Sequence, residues 1–345
     1  MKLGLSIGYS GSRLRIPIER IKLAEQLGYD SVWTAEAYGS DAITPLAWIA
    51  AQTDKIRLGT GIMQLAGRTP AMAAMQAQTV DALAGGGRVI AGLGVSGPQI
   101  VEGWYGEPWG KPYWRLRDYI QIMGKVNRRE DPVAHEGREY QLPFTGEGSI
   151  GLGKPLMSIM HTNRDLPIWL GSGSEATVKL TAELCDGWLP MHFVPGRLDY
   201  FRPWLEEGFR RAGNGKSWAD FEIQGRGPVI ITDNVKKALD EAKPSIALYV
   251  GGMGHQSVNF HNEHMKLRGF PEAAERIQEL YLGGRKQEAI AAVPDEYVDE
   301  AGLYGSLQRI EKRWEAWADS GITGFTVVTD QDEAVQLMAD LMGTP

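Results

Sequence analysis

The chain of 345 residues has a single cysteine, Cys185. It can therefore form no internal disulfide and no thiolate metal cluster of its own. Cys185 closes an apolar helical stretch over residues 176–184, a setting for a buried, inert thiol rather than a nucleophile. Long hydrophobic runs are also missing. No stretch approaches the roughly 18 apolar residues of a membrane span, and the apolar start MKLGLSIGYS is too short for a signal peptide and reads as a strand. Positive charge is in deficit, with a formal net charge of -7. That balance argues against a nucleic-acid partner, which requires a basic surface. A cytoplasmic protein without membrane or nucleic-acid partners is the expectation.

Glycine is abundant, at 43 residues, and its placement is informative. Short apolar runs alternate with segments of helical period, the signature of βα units and a parallel sheet. Eight such runs occur, at residues 3–7, 31–34, 56–61, 89–93, 168–170, 187–190, 229–232 and 324–328. Between the first two, Ile18, Ile21, Ala24 and Leu27 recur at near-helical spacing before the stop signal Gly28. Eight units suit a closed (β/α)8 TIM barrel better than an open doubly wound sheet. The expectation is one α/β barrel domain over residues 1–345 with two insertions. The first, residues 131–165, is a Gly- and Pro-rich loop, and the second, residues 236–299, is helical.

In such a barrel the active site is built at the carboxyl ends of the strands. After the third run come Gly61, Ile62, Met63 and Gln64, where a glycine before a branched residue reads as a bulge, a tight turn or a close approach to a ligand. After the fourth come Gly94, Val95, Ser96 and Gly97, a glycine-rich turn that suits a planar ring against backbone but lacks the Rossmann strand-to-helix setting. After the fifth come Gly171, Ser172, Gly173, Ser174 and Glu175, leading into an amphipathic helix. Free N–H groups there could bind a phosphate, and Ser174 could alternatively be a plain N-cap. Six histidines show no metal-ligand spacing with carboxylates, so no metal is expected. His192 stands apart from them because it follows the sixth run.

These blocks together resemble the luciferase-like flavin and deazaflavin oxidoreductases, specifically their coenzyme F420-dependent branch. The resemblance runs through residues 28–50, 55–106, 151–156, 167–190, 247–254 and 293–305. It implies a luciferase-like barrel, F420 as cofactor with FMN as the alternative, a small-molecule substrate and a homodimer. It also implies a cis Gly61–Ile62 peptide bulging against the cofactor ring, with Glu36, Val95, Ser96 and Gly97 lining the ring. The cofactor phosphate is expected on residues 171–175. A side chain at Gly173 should then obstruct the phosphate, with Gly173→Asp abolishing binding and Gly173→Ala doing much less.

Relatives that oxidise alcohols or sugar phosphates carry a histidine where Ala37 stands and a glutamate where Gly97 stands. Their base and acid are thus missing, which favours reduction of an activated C=C, C=N or C=O bond by the reduced deazaflavin. Glu36 and His192 are the candidate proton donors, with Tyr38 and Tyr105 behind them. Trp104, Tyr105 and Trp109, with Tyr38 and Gln64, are candidates for the substrate pocket, although an aromatic cluster also suits core or a subunit interface. The competing readings are a monooxygenase supplied with reduced FMN by a separate reductase, and a cofactor-binding protein without turnover.

Overall fold

A computed structural model describes residues 1–253 and 259–343. Eight parallel strands close into a barrel: β1 (Lys2–Gly8), β2 (Ser31–Thr34), β3 (Arg57–Thr60), β4 (Val89–Gly94), β5 (Ile168–Ser172), β6 (Gly187–Pro190), β7 (Glu222–Ile231) and β8 (Gly324–Val328). Closure is made by β1 against β8, with Leu3 beside Phe325, and by β6 against β7, with Gly187 beside Glu222. The fold is the expected (β/α)8 barrel. Helices Pro70–Leu83 and Glu175–Leu184 fall where the periodicity places them. Among the described residues no helix is long and apolar enough to cross a membrane. Cys185 is fully buried, and burial pushes its thiol pKa up.

The seventh strand differs from the expectation. It starts at Glu222, not near Val229, and its first half, EIQGRGP, makes the barrel pairings with β8. Polar residues hid it, because its inward positions 224 and 226 are Gln and Arg. The apolar residues 229–231 pair instead with a short outer strand, Leu303–Gly305.

Side chains fill the barrel interior. Trp33, Ile90 and Trp169 form a buried plug with Leu189, the two indoles 5.3 Å apart between ring centres. Glycines make room for it. A Cβ at Gly59 would lie 2.4 Å from the Trp33 ring, and one at Gly187 would lie 2.4 Å from the Trp169 ring. Bulky rings from two strands thus replace the usual layers of branched side chains.

The loop insertion at 131–165 contains a small antiparallel hairpin, His135–Glu136 with Gln141–Leu142. The helical insertion runs from Val235–Ala247 through Asp295–Glu300. It has its own apolar cluster, centred on Leu239, Val250, Met265, Ile277, Leu280 and Tyr297. Its first helix passes into a π-helical segment, Leu248–Gly252, whose Val250 carbonyl accepts from the amides of Asn259 at 2.8 Å and Asn262 at 3.4 Å.

Candidate active site

The site is built on the carboxyl ends of the strands, above the indole plug. Thr60 Oγ1 ties the end of β3 to β4, donating to the Gly92 carbonyl and accepting from the Gly92 N–H, both at 2.8 Å. Beyond it the Gly61–Ile62 peptide is cis, as the resemblance implies. The Ile62 side chain then crosses toward β4 and β5. A Cβ at Gly94 would lie 2.7 Å from Ile62 Cγ1, and one at Gly171 would lie 2.9 Å from Ile62 Cγ2. These two glycines are therefore spaces for Ile62, and the isoleucine forms an apolar shelf across three strands. Met63 is fully buried in the main core and joins the site only through its backbone.

Glu36 follows β2 and is 7% exposed. Its Oε1 accepts from the Gln64 N–H at 2.6 Å and from Arg68 at 2.7 Å, and its Oε2 accepts from the Ala42 N–H at 3.0 Å and from Arg68 at 2.8 Å. This is a bidentate ion pair completed by two backbone donors. Burial opposes the Arg68 charge, but its bonds to Glu36 outweigh that and hold the guanidinium pKa up. With both oxygens engaged, Glu36 clamps the loop after β2 to the segment after β3. Gln64 shares the clamp through its Nε2, which donates to the Glu36 carbonyl at 2.9 Å, while its buried Oε1 has no donor among the described residues.

The turn after β4 holds Ser96 at φ 61°, and the residue after Met191 is His192 at φ 52°. Among the described residues these are two of the three non-glycine residues with positive φ. The third, Arg129, caps a helix on the outside. Two such conformations at one mouth are the kind of strain that clusters at ligand sites. Val95 packs partly on the core, and Gly97 caps the short helix Pro98–Gly103.

At the start of the helix Glu175–Leu184, the Ser174 hydroxyl accepts from the Thr177 N–H at 3.4 Å, and the Ser174 N–H donates back to Thr177 Oγ1 at 3.2 Å. The N-cap reading is therefore realised. It satisfies only part of the helix start, because the first N–H groups have no partner within the helix. Ser172 turns away from this opening, its hydroxyl 2.8 Å from Thr181 Oγ1 beneath the helix. Glu175 is exposed and pairs with Lys179 along the helix. Gly173 lies under His264: a Cβ there would be 2.2 Å from His264 Nε2. Its lack of a side chain accommodates an imidazole, so Gly173→Ala is not a mild change.

His192 sits in a histidine cluster that the sequence spacing does not reveal. Its Nε2 is 2.7 Å from His261 Nδ1, and its ring centre is 5.8 Å from that of His264. Burial lowers all three pKa values, those of His261 and His264 to about 4, and the neighbouring Arg268 lowers those of His192 and His264 further. The cluster is neutral at pH 7. Neutral His192 is held by a hydrogen bond and is a weak general acid. Among the described residues no His, Cys, Asp and Glu grouping could hold a metal. His255 lies outside the described residues.

The aromatic candidates separate. Tyr105 faces inward, its hydroxyl 3.2 Å from where a Gly67 Cβ would be, and its phenol pKa is raised by burial and then by Glu36. Trp104 is 63% exposed and points to solvent. Trp109 lines a cavity of about 10 Å³ with Leu65, Val95 and Val101, room for one water and no substrate. Tyr38 is half-exposed at the rim.

Three groups escaped the sequence reading: Arg68, the pair Tyr9 and Tyr249, whose hydroxyls are 3.2 Å apart, and Arg226 on β7. The alternation of Gln224 and Arg226 between small residues was the one available signal for Arg226.

The chain is 46% identical over 344 residues, covering 99% of both sequences, to a Mycobacterium tuberculosis protein named "Putative coenzyme F420-dependent oxidoreductase". It is 24% identical to the 5,10-methylenetetrahydromethanopterin reductase of Archaeoglobus fulgidus, covering 92% of each. Among solved structures, the F420-dependent tetrahydromethanopterin reductase from Methanopyrus kandleri superposes with a TM-score of 0.75 at 22% identity, covering 100% of this chain and 99% of that one. An F420-dependent secondary alcohol dehydrogenase superposes with a TM-score of 0.74 at 17% identity, covering 99% and 98%. The model of the luciferase-like monooxygenase family matches residues 2–324, and to that family this chain belongs.

Proposed function

We propose that the protein is a coenzyme F420-dependent oxidoreductase that reduces an activated C=C, C=N or C=O bond in a small organic substrate. The observation that carries this reading is the Ile62 shelf between Gly94 and Gly171, beside the open start of the helix Glu175–Leu184. It supports a planar ring resting on an apolar side chain, with the phosphate on the N–H groups of Gly173, Glu175 and Ala176. The buried, donor-free Oε1 of Gln64 is an acceptor for a ring N–H. The similarity to the mycobacterial relative named for F420 favours the deazaflavin over FMN.

When bound, the reduced deazaflavin supplies a hydride. The chain's part is to bind, orient and exclude water. Ile62 sets the height of the ring above the indole plug. The Glu36–Arg68 clamp keeps the loops after β2 and β3 in register with it, so the walls do not drift when a ligand enters. Neither Glu36 nor His192 is free to give a proton readily, and Tyr105 is the inward-facing O–H that remains.

Fluorescence titration tests the cofactor: F420 should bind at least tenfold tighter than FMN, about 1.4 kcal/mol. Equal or reversed affinity moves the reading to a monooxygenase. A panel of enones, imines and quinones, assayed by oxidation of reduced F420, tests turnover. No turnover across the panel favours the cofactor-binding protein.

A further inference from the structure

Arg226 is an inward-facing cation in the barrel. It stands two residues beyond Gln224 on the same face of β7, and Gln224 points inside, donating to Thr326 Oγ1 at 2.9 Å. That places Arg226 one layer above, at the mouth. The side chain is open to solvent through the mouth yet enclosed by protein on its flanks, and burial lowers its pKa. Among the described residues it makes no hydrogen bond and no ion pair, and the only ionisable groups that act to hold its charge are the phenols Tyr249 and Tyr9. Burial raises the Tyr249 phenol pKa, so it offers no negative charge at neutral pH. The five residues between Met253 and Asn259, Gly-His-Gln-Ser-Val, include no Asp or Glu.

A guanidinium that stands exposed at the mouth without a counter-ion among the described residues is a solvated cation free to take an anion. Other arginines of the interior are bonded: Arg57 to Asp30 and Glu222, Arg68 to Glu36, and Arg88 to the carbonyls of Thr53 and Ile56. The position also separates it from the ring shelf. In a closed barrel of eight strands, β7 is four strands from β3, directly across the mouth from Ile62. The phosphate opening after β5 is two strands away. A group on Arg226 therefore faces the open side of a ring resting on Ile62.

We infer that Arg226, with the hydroxyls of Tyr9 and Tyr249 beside it, is the specificity residue for a substrate that carries a carboxylate. This rests on the proposed reductase reading and names its substrate class. The planar fork of donors matches a carboxylate in two parallel bonds. A phosphate dianion is less well served, since the nearby Arg268 is already paired with Glu300 and Arg197 with the Leu267 carbonyl. In the Tyr9–Tyr249 pair one hydroxyl donates to the other, and the remaining O–H gives one carboxylate oxygen a second donor.

The test uses the full chain, trans-cinnamate as probe and its methyl ester as the uncharged match, each titrated calorimetrically with and without F420. In the wild type, cinnamate should bind at least about tenfold tighter than the ester. Arg226→Gln should abolish that preference and leave ester binding within threefold, and Arg226→Lys should restore part of it. F420 affinity should stay within threefold in both variants. Thermal unfolding without ligand separates a structural role: Arg226→Met should leave Tm unchanged or raise it. The inference is overturned if the wild type prefers the ester, if Arg226→Gln leaves the preference intact, if it instead weakens F420 tenfold, or if Arg226→Met lowers Tm by several degrees. Failure of F420 to bind the wild type would defeat the reductase reading alone, because the carboxylate preference is still read in its absence.

Discussion

The two ends of β7 handle charge in opposite ways. At the amino end of β7, Glu222 accepts from Lys2 at 2.8 Å and from both terminal nitrogens of Arg57 at 2.9 Å, while Arg57 also binds Asp30. Burial opposes both partners' charges, yet the pairing wins: the Glu222 pKa is lowered and that of Arg57 raised. Four residues on, toward the mouth, Arg226 is exposed and has no partner among the described residues. Along this strand the closed end pairs its charges and the open end leaves one unpaired, while the Glu36–Arg68 clamp is a paired exception at the mouth. The amino end is built for stability, and the carboxyl end keeps charge and hydrogen-bond capacity in reserve for something that arrives.

Substitutions that interfere with one end only should sharpen this contrast. The largest effect is expected at the closed end. Arg57→Met leaves Glu222 and Asp30 half-buried and short of a partner, and should destabilise by about 2–4 kcal/mol in chemical denaturation. If that change is as harmless as Arg226→Met, the contrast between the ends is wrong. Gly173→Ala comes next, displacing His264 and destabilising the ligand-free protein by about 1–3 kcal/mol; an unchanged midpoint would show that the imidazole moves aside freely.

The histidine cluster supplies a third test. His261 and His264 titrate near 4 in the folded protein, below the ordinary histidine value near 6.5 of the unfolded chain. The unfolded state takes up protons first as the pH falls. Their contribution is therefore complete above about pH 6.5 and is lost progressively toward pH 4, with about 2 kcal/mol for each histidine gone by pH 5. Burial keeps both folded values low, helped by His264 for His261 and by Arg268 and Arg197 for His264, whereas Glu263 on the same helix opposes this for His264. Unfolding midpoints at pH 7.5, 6, 5 and 4.5 check it, and a flat profile would contradict the burial of the cluster. The smallest effect is expected for Trp104→Ala, within about 0.5 kcal/mol and without change in KM, since the indole faces solvent.

The sequence showed the barrel's apolar strands and most helices because those elements bury one side against the core, and burial leaves a periodic trace. It concealed β7 because that strand's inward positions serve the mouth, where Gln and Arg replace apolar residues. Glycine positions were readable as tight places, but not what occupies them. Gly94 and Gly171 make room for Ile62, and Gly173 for His264, 91 residues downstream. The Glu36–Arg68 pair and the His192–His261 bond join residues 32 and 69 positions apart, and no local pattern encodes such meetings.

The helical insertion has its own apolar cluster, and from it Tyr249, His261 and His264 reach the mouth, with Asn262 holding Val250 and Ala274 together by their carbonyls. In evolutionary terms the barrel and this cap can change at different rates. Mutations inside the cap's cluster can re-aim three mouth residues without disturbing the indole plug or the Arg57 network. A family using one cofactor on one barrel could in this way acquire new substrates by drift in about sixty residues that never touch the ring's shelf.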